Sequence, residues 1–417
     1  MSEGKGIIFY SKKIRWKMIS DKYLYKNKYT EEFLNFASKD YAHKDKMITR
    51  CVDNGVVLPL KKSKPGGPLM GYGGVLDAEN NYINESAQIG KGDTLDRFVG
   101  KYEYDQASEI YLDETVVYIG AFPSHWGHFL VDMVYRLWYF LEHDEPYRIV
   151  YCSENVEISG VYLEFFKLLG IDKDRLFRIA IPTRFGRIII PQAAYMACDY
   201  YTQEYRNVFR KVVKSISRTD IEPYEKIYLS RGHFVDAHSK EVGEQNIEYN
   251  FRMNGFHVLY MEELSLEEQI FYIHNSKAVA ALSGTLCHNI VFAGENTELI
   301  ILNKTHITNT HQVLINQMMG VPVTYIDVYK EPYRQFPISY GGGPFWLDTG
   351  GLREYFCDKL FDFFPERKYT TFLNGLRYTK MCFEIKLYKL YEKMYYILCE
   401  HKYIISFLRR VKKFVGR

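Results

Sequence analysis

Long apolar runs are missing from this chain. No uninterrupted stretch approaches the roughly 18 residues that a membrane span needs. Near the N-terminus the longest apolar run, Ile7 to Tyr10, is too short for the apolar region of a signal peptide. Cysteine is sparse and unpatterned. Cys51, Cys152, Cys198, Cys287, Cys357, Cys382 and Cys399 make an odd count of seven with no C-x-x-C pair. That argues against a zinc cage or a disulfide framework and for reduced thiols, hence a cytoplasmic protein. Internal repeats and low-complexity tracts are absent too.

What is present is a soluble globular composition, 47% hydrophobic and 25% charged. At 417 residues the chain is too long for one ordinary core and comfortable for two. The net charge of +3 hides an uneven spread. Residues 375–417 hold eleven Lys and Arg against three Glu, an excess of eight positive charges, so the remainder carries about −5. The body is near neutral and the tail is basic. No basic patch with stacking aromatics occurs in the body, which argues against a nucleic-acid partner.

Residues 51–120 carry short apolar runs and glycine pairs, and read as β-structure with turns. Strands are expected at Arg148–Tyr151 and Arg187–Ile190, and helices at Val161–Leu169 and Gln203–Ile216. After Pro223 the pattern turns regular. Strand-like runs at Ile227–Ser230, His257–Tyr260, Ala278–Ala281, Leu299–Leu302 and Val323–Ile326 alternate with helical stretches at Glu244–Met253, Leu266–Asn275, Leu286–Phe292 and Thr310–Met319. Such alternation predicts a parallel sheet with right-handed crossovers. Leu352–Phe364 is expected to form a helix returning to the first half. The α/β chain is thus expected to divide into residues 1–219, residues 220–350 with a Rossmann-like pattern, and residues 351–417, a helical return segment with a basic amphipathic tail.

The most telling stretch is Ser124-His125-Trp126-Gly127-His128-Phe129-Leu130-Val131-Asp132. It follows the apolar run Thr115–Ile119, and Ser124 is placed to cap a helix running to about His143. His125, His128 and Asp132 then share one helix face, while Trp126, Phe129, Leu130, Met133, Val134 and Leu137 bury the rest. Two imidazoles and a carboxylate along a buried helix are costly unless paired or used. The bland alternatives are structural histidines bonded to nearby carbonyls, and an Asp132–Arg136 pair one turn apart.

Two strand ends in the second half are polar: Ser230-Arg231-Gly232-His233, and Ser283-Gly284-Thr285 before a helix. Ligands of open parallel sheets bind at the carboxyl ends of strands. Gly284 allows close backbone approach, and a helix start opposite an arginine suits a diphosphate.

The segment around His128 resembles the first block of glycosyltransferase family 61, a small-x-G-H-F-x-x-D pattern. Residues 227–320 resemble the rest of that family's catalytic region, through Tyr228-Leu229-Ser230-Arg231, Glu244, Glu262-Glu263-Leu264-Ser265-Leu266-Glu267-Glu268-Gln269-Ile270 and Gly284 to Phe292. Ser283 stands where the family usually has histidine. The resemblance implies a GT-B-like fold, two Rossmann-like domains facing a cleft, with residues 1–219 as the acceptor-side domain and 220–350 as the nucleotide-sugar-binding domain, and inverting sugar transfer without a metal. No D-x-D element stands where a metal diphosphate site would need one. It implies that Arg231 binds the donor diphosphate, that Gly284, Thr285, His288 and Asn289 line the donor pocket, and that Glu244 reaches ribose or sugar hydroxyls. Inverting transfer needs a base; His128, oriented by Asp132, suits that task, and the reverse assignment is nearly as good. His125 would face acceptor or donor phosphate.

The expected activity is transfer from a nucleotide sugar, a UDP-sugar, to a glycan or lipid-linked oligosaccharide in surface polysaccharide synthesis. Two rivals remain: a metal-dependent hydrolase or oxygenase built on His125, His128 and Asp132, and a catalytically degenerate nucleotide-sugar-binding scaffold, motivated by Ser283. In the tail, Phe383, Leu387, Leu390, Met394, Ile397, Ile404, Leu408, Val411 and Val415 recur at steps of three and four among basic residues. That stripe suits either peripheral contact through 383–417 with the inner face of an anionic membrane, or packing against protein.

Overall fold

The computed structural model describes residues 31–63, 71–88, 98–218, 220–234, 240–307 and 309–400, with two-residue strands at Ile7–Ile8, Lys17–Met18 and Leu24–Tyr25. Two large sheets organise it. The second-half sheet is wholly parallel. Its order is His257–Tyr260, Lys226–Ser230, Ala278–Leu282, Glu298–Asn303, Val323–Asp327, then Leu24–Tyr25 at the edge. Its strands are apolar on both sides, as a sheet covered on both faces requires. Alternate residues serve different cores: Val279 and Ala281 pack on one side, Ala280 and Leu282 on the other.

The crossover helices Glu244–Met253, Leu266–Asn275 and Thr310–Met319 have the expected limits. Ser265 starts the second with a capping box to Glu268. Gly320 ends the third in the left-handed conformation.

The first-half sheet is mixed. Ile110–Ala121 lies parallel to Arg148–Cys152 on one side and to Thr183–Pro191 on the other. Thr183–Pro191 also pairs antiparallel with Thr49–Asp53 and Val56–Lys62, while Leu176–Ile179 and Gly71–Leu76 form the edges. The helix Gln203–Lys214 links the halves. Its buried face, Tyr205, Val208, Phe209 and Val212, joins a core cluster that also holds Phe129 and Leu130 from the first half and Ile227, Leu229 and Ile290 from the second. The halves therefore share apolar packing.

Three expectations change. The helix expected up to His143 is broken. Trp126–Asp132 is helical, Met133 leaves helical geometry, Val134–Arg136 forms a 3-10 turn, and Tyr139–Glu142 adds one further turn. Leu352–Asp358 is a helix, but Leu352, Tyr355 and Phe356 pack beneath the second sheet with Phe251 and Ile326 rather than returning to the first half. The apolar neighbours available there decide its place. The third change is the Leu24–Tyr25 strand, which carries the start of the chain into the second-half sheet.

The C-terminal helix, Lys368–Glu400, packs Tyr378 and Cys382 against Phe336 and Trp346. Phe383, Leu387, Leu390 and Met394 face outward and are exposed. No helix among the described residues is long and apolar enough to cross a membrane. The tail beyond Glu400, with Ile404, Leu408, Val411 and Val415, lies outside the described residues.

Candidate active site

Strand order places the first set of polar groups. The Lys226–Ser230 strand has His257–Tyr260 on one side and Ala278–Leu282 on the other. The chain thus runs outward from Lys226–Ser230 in one direction, then in the other. Ser230-Arg231 and Ser283-Gly284 leave the carboxyl ends of the two strands flanking that reversal, where open α/β sheets bind ligands. Gly284 has φ +137°, a conformation side chains resist. Apart from its chain neighbours, the one heavy atom within 4 Å of a Cβ placed there would be Lys304 Nζ, at 3.9 Å.

Lys304 follows the next strand, Glu298–Asn303, and is buried. Its ammonium lies 2.8 Å from Glu241 Oε1 and 4.4 Å from the centre of the Phe345 ring. Arg231 Nη1 reaches the same Glu241 oxygen at 3.3 Å. Two cations therefore share one carboxylate oxygen beside Gly284. The helix after Gly284, Thr285–His288, is a single turn continued by a 3-10 turn to Phe292. Its dipole is accordingly small, and the positive charge here comes mainly from Arg231 and Lys304, not from a helix end as expected.

Glu244 is buried beneath. Its Oε1 accepts from the Tyr228 hydroxyl at 3.0 Å and from the Arg231 backbone N–H at 3.3 Å. Burial, then repulsion from Glu241 and Glu248, raises its pKa to about 8, so it is mostly protonated at neutral pH. It braces the Arg231 backbone from within.

The motif helix supplies the second set. Its N-cap is His125, one residue later than expected, with its imidazole 3.5 Å from the His128 backbone N–H. Ser124 is left exposed outside the helix. His128 Nδ1 lies 2.7 Å from Asp132 Oδ2, and the His125 and His128 rings stand 5.0 Å apart. All three predicted residues meet. The carboxylate holds the imidazole proton on Nδ1 and leaves Nε2 able to accept one. The Arg136 guanidinium donates to the carbonyls of Pro191, Glu85 and Ala87. Crowding by surrounding protein, then His128, Arg231 and Lys240, pushes the His125 imidazole down to about 4, although solvent still reaches its edge. It is neutral at pH 7. The charges acting on it come from both halves of the molecule.

Close packing joins the two sets. A Cβ on Gly127 would stand 2.8 Å from Thr285 Oγ1 and 3.3 Å from His288 Cδ2, so glycine lets the motif helix sit against that turn. Trp126 Nε1 donates to Asn289 Oδ1 at 2.7 Å. His288 is buried, with Nδ1 2.8 Å from Gln312 Oε1. The Gln312 amide N–H groups go to Cys287 O and Asn316 Oδ1, so its oxygen accepts and His288 carries its proton on Nδ1. Burial, then His311, lowers the His288 pKa to about 3. Thr285, His288 and Asn289 thus stand at the contact with the motif helix.

A cavity of about 640 Å³ is lined by His128 and Asp132 together with Tyr135, Tyr195, Met196 and His311. Among the described residues no three His, Cys, Asp or Glu side chains converge as a metal-ligand set. His128 and Asp132 bond to each other, so the metal-hydrolase reading finds no support.

Residues 126–300 match the family model Glycosyltransferase 61. No curated protein matches the chain. The family match spans the motif helix and both polar strand ends of the switch point. It supports a glycosyltransferase, and with it a sugar donor and a glycan acceptor in general terms. Lys304 and Glu241 were missed in the sequence. Lys304 carried a signal, since Asn303-Lys304-Thr305 is a polar end of the strand next to Gly284; Glu241 carried none.

Proposed function

We propose that this protein is an inverting glycosyltransferase that moves a sugar from a nucleoside-diphosphate donor, a UDP-sugar, to a hydroxyl of a surface-polysaccharide acceptor. The observation that carries this reading is the His128 Nδ1–Asp132 Oδ2 bond at 2.7 Å beside His125, whose imidazole feels Arg231, the residue that shares Glu241 with Lys304. Asp132 orients the imidazole, and Nε2 takes the acceptor proton. The acceptor oxygen attacks the anomeric carbon as the carbon–oxygen bond to the diphosphate breaks. The bond's electron pair leaves with the nucleoside diphosphate. Arg231 and Lys304 stabilise the charge that develops there, and no metal is needed for that task. Neutral His125 contacts donor or acceptor oxygens. The acceptor lies in the 640 Å³ cavity beside His128. The two sheets act as the facing units of a GT-B-like enzyme, divided near residues 219 and 350. The exposed residues Phe383, Leu387, Leu390 and Met394 hold the enzyme at the inner membrane face.

The test is product analysis with a panel of UDP-sugars and glycan acceptors. Acceptor-dependent release of UDP and a product of inverted anomeric configuration by NMR are expected. A retained configuration would overturn the mechanism. Donor binding by calorimetry with no turnover on any acceptor would instead favour a degenerate scaffold, for which Ser283 in place of the usual histidine is the motive.

A further inference from the structure

A second basic locus lies away from the candidate active site. The linking helix Gln203–Lys214 turns its apolar residues inward, and its register sets Arg206, Arg210 and Lys214 at four-residue steps along another face. They line a groove of about 910 Å³ with Val213, Ile216 and Phe271. Arg206, Arg210 and Lys214 make no ion pair among the described residues. The nearby Arg218 is neutralised by two bonds of 2.7 Å to Asp220. Among the described residues, Glu295 is the one carboxylate lining the groove. Arg206 is half-buried; Nη2 donates to Met319 O at 3.3 Å, and Nε is enclosed without an acceptor. Burial and the like charge of Arg210 both disfavour its charged form. A desolvated guanidinium beside a second one, with an unfilled donor, is a costly arrangement for a surface that binds nothing.

We propose that this groove binds a lipid phosphate, with the headgroup phosphate between Arg206, Arg210 and Lys214 and the start of the acyl chains on Val213, Ile216 and Phe271. Guanidinium pairs with phosphate oxygens in a bidentate way, and Arg210, which makes no ion pair among the described residues, lines the groove beside Arg206. A free phosphate ion would leave most of the 910 Å³ empty and the half-exposed apolar edge wet. The site does not depend on the catalytic reading, because none of its residues belongs to the candidate active site.

Calorimetry on the full chain tests this with dihexanoyl phosphatidic acid below its micelle concentration, which keeps bilayer contact by the C-terminal helix out of the measurement. Inorganic phosphate and dihexanoyl phosphatidylcholine serve as comparisons. We expect phosphatidic acid to bind at least tenfold more tightly than either, and Arg206→Gln/Arg210→Gln to weaken it at least tenfold. Lys214→Glu, at an exposed position, should weaken it severalfold, and it covers the case in which the double variant fails to fold. Parental affinity in the variants, or no binding to the parent, overturns the site. Equal affinity for inorganic phosphate overturns the lipid and leaves a plain anion site.

Discussion

The two sheets bring their polar groups to the candidate site by different means. In the second-half sheet, Arg231, Gly284 and Lys304 follow three adjacent strands, Lys226–Ser230, Ala278–Leu282 and Glu298–Asn303. Their relative positions follow from backbone hydrogen bonds that repeat along the sheet. In the first half, His128 and Asp132 stand on a helix of seven residues that Met133 breaks. A helix that short is marginal without tertiary support. Rings of its own half, Phe122, Tyr162 and Phe165, pack on Phe129, and the other half adds the Gly127–Thr285 approach and the Trp126–Asn289 bond. The cation pair should therefore tolerate damage to the motif helix, and the imidazole–carboxylate pair should not tolerate damage to the turn after Gly284.

The sharpest division of labour should appear in kinetics. His128→Ala and Asp132→Asn are each expected to lower turnover by about 10²- to 10⁴-fold, the range of general acid–base catalysis. Calorimetry should show donor affinity within about twofold of the parent. If donor affinity falls as far as turnover, the two sets do not act separately.

The complementary change comes next. Arg231→Ala and Lys304→Met should each lose about 1.5–3 kcal/mol of binding to UDP, roughly 10- to 150-fold in affinity, and much less to uridine. Equal losses for UDP and uridine would move the diphosphate away from this pair.

Contact between the halves can be probed by volume. Gly127→Ala forces a methyl group to within 2.8 Å of Thr285 Oγ1 and should cost about 1–3 kcal/mol in chemical denaturation. Thr285→Ala in the same chain should recover part of that loss, a coupling that distant sites would not show. Simple additivity would mean that the two residues do not touch.

The last test concerns pH. Glu244 is raised from about 4.5 unfolded to about 8 folded. Between those values the folded state binds the extra proton, so stability from this group is full below about pH 4.5 and declines as pH rises through 8. Glu244→Gln should flatten that part of the profile in thermal unfolding. An unchanged slope would mean that Glu244 is charged in the folded protein.

The second-half sheet was legible almost residue by residue. Its strands are apolar runs bounded by turn residues, and its helices carry local signals such as Ser265 with Glu268 and the Gly320 stop. The first half was less so. Arg187–Ile190 reads as a strand, but nothing local says that it lies between Ile110–Ala121 and two antiparallel neighbours. The motif helix was right at its start to within one residue and wrong at its end. Apolar periodicity continues past Met133 while the backbone does not, because Arg136 turns inward to bond three carbonyls distant in sequence.

The sequence by itself determined the alternation of strands and helices after residue 226 and the common face of His125, His128 and Asp132, because both follow from short-range periodicity and capping. It also marked Arg231 and Gly284 as strand-end residues. Only the tertiary structure decided that those two ends flank the reversal in strand order and that Lys304 joins Arg231 on Glu241. The same holds for the partners of His128, Trp126 and Gly127, since Asp132 lies on the same helix but Asn289 and Thr285 do not. Strand order and contacts between distant segments depend on which apolar faces bury one another, and a chain of local preferences does not contain that information.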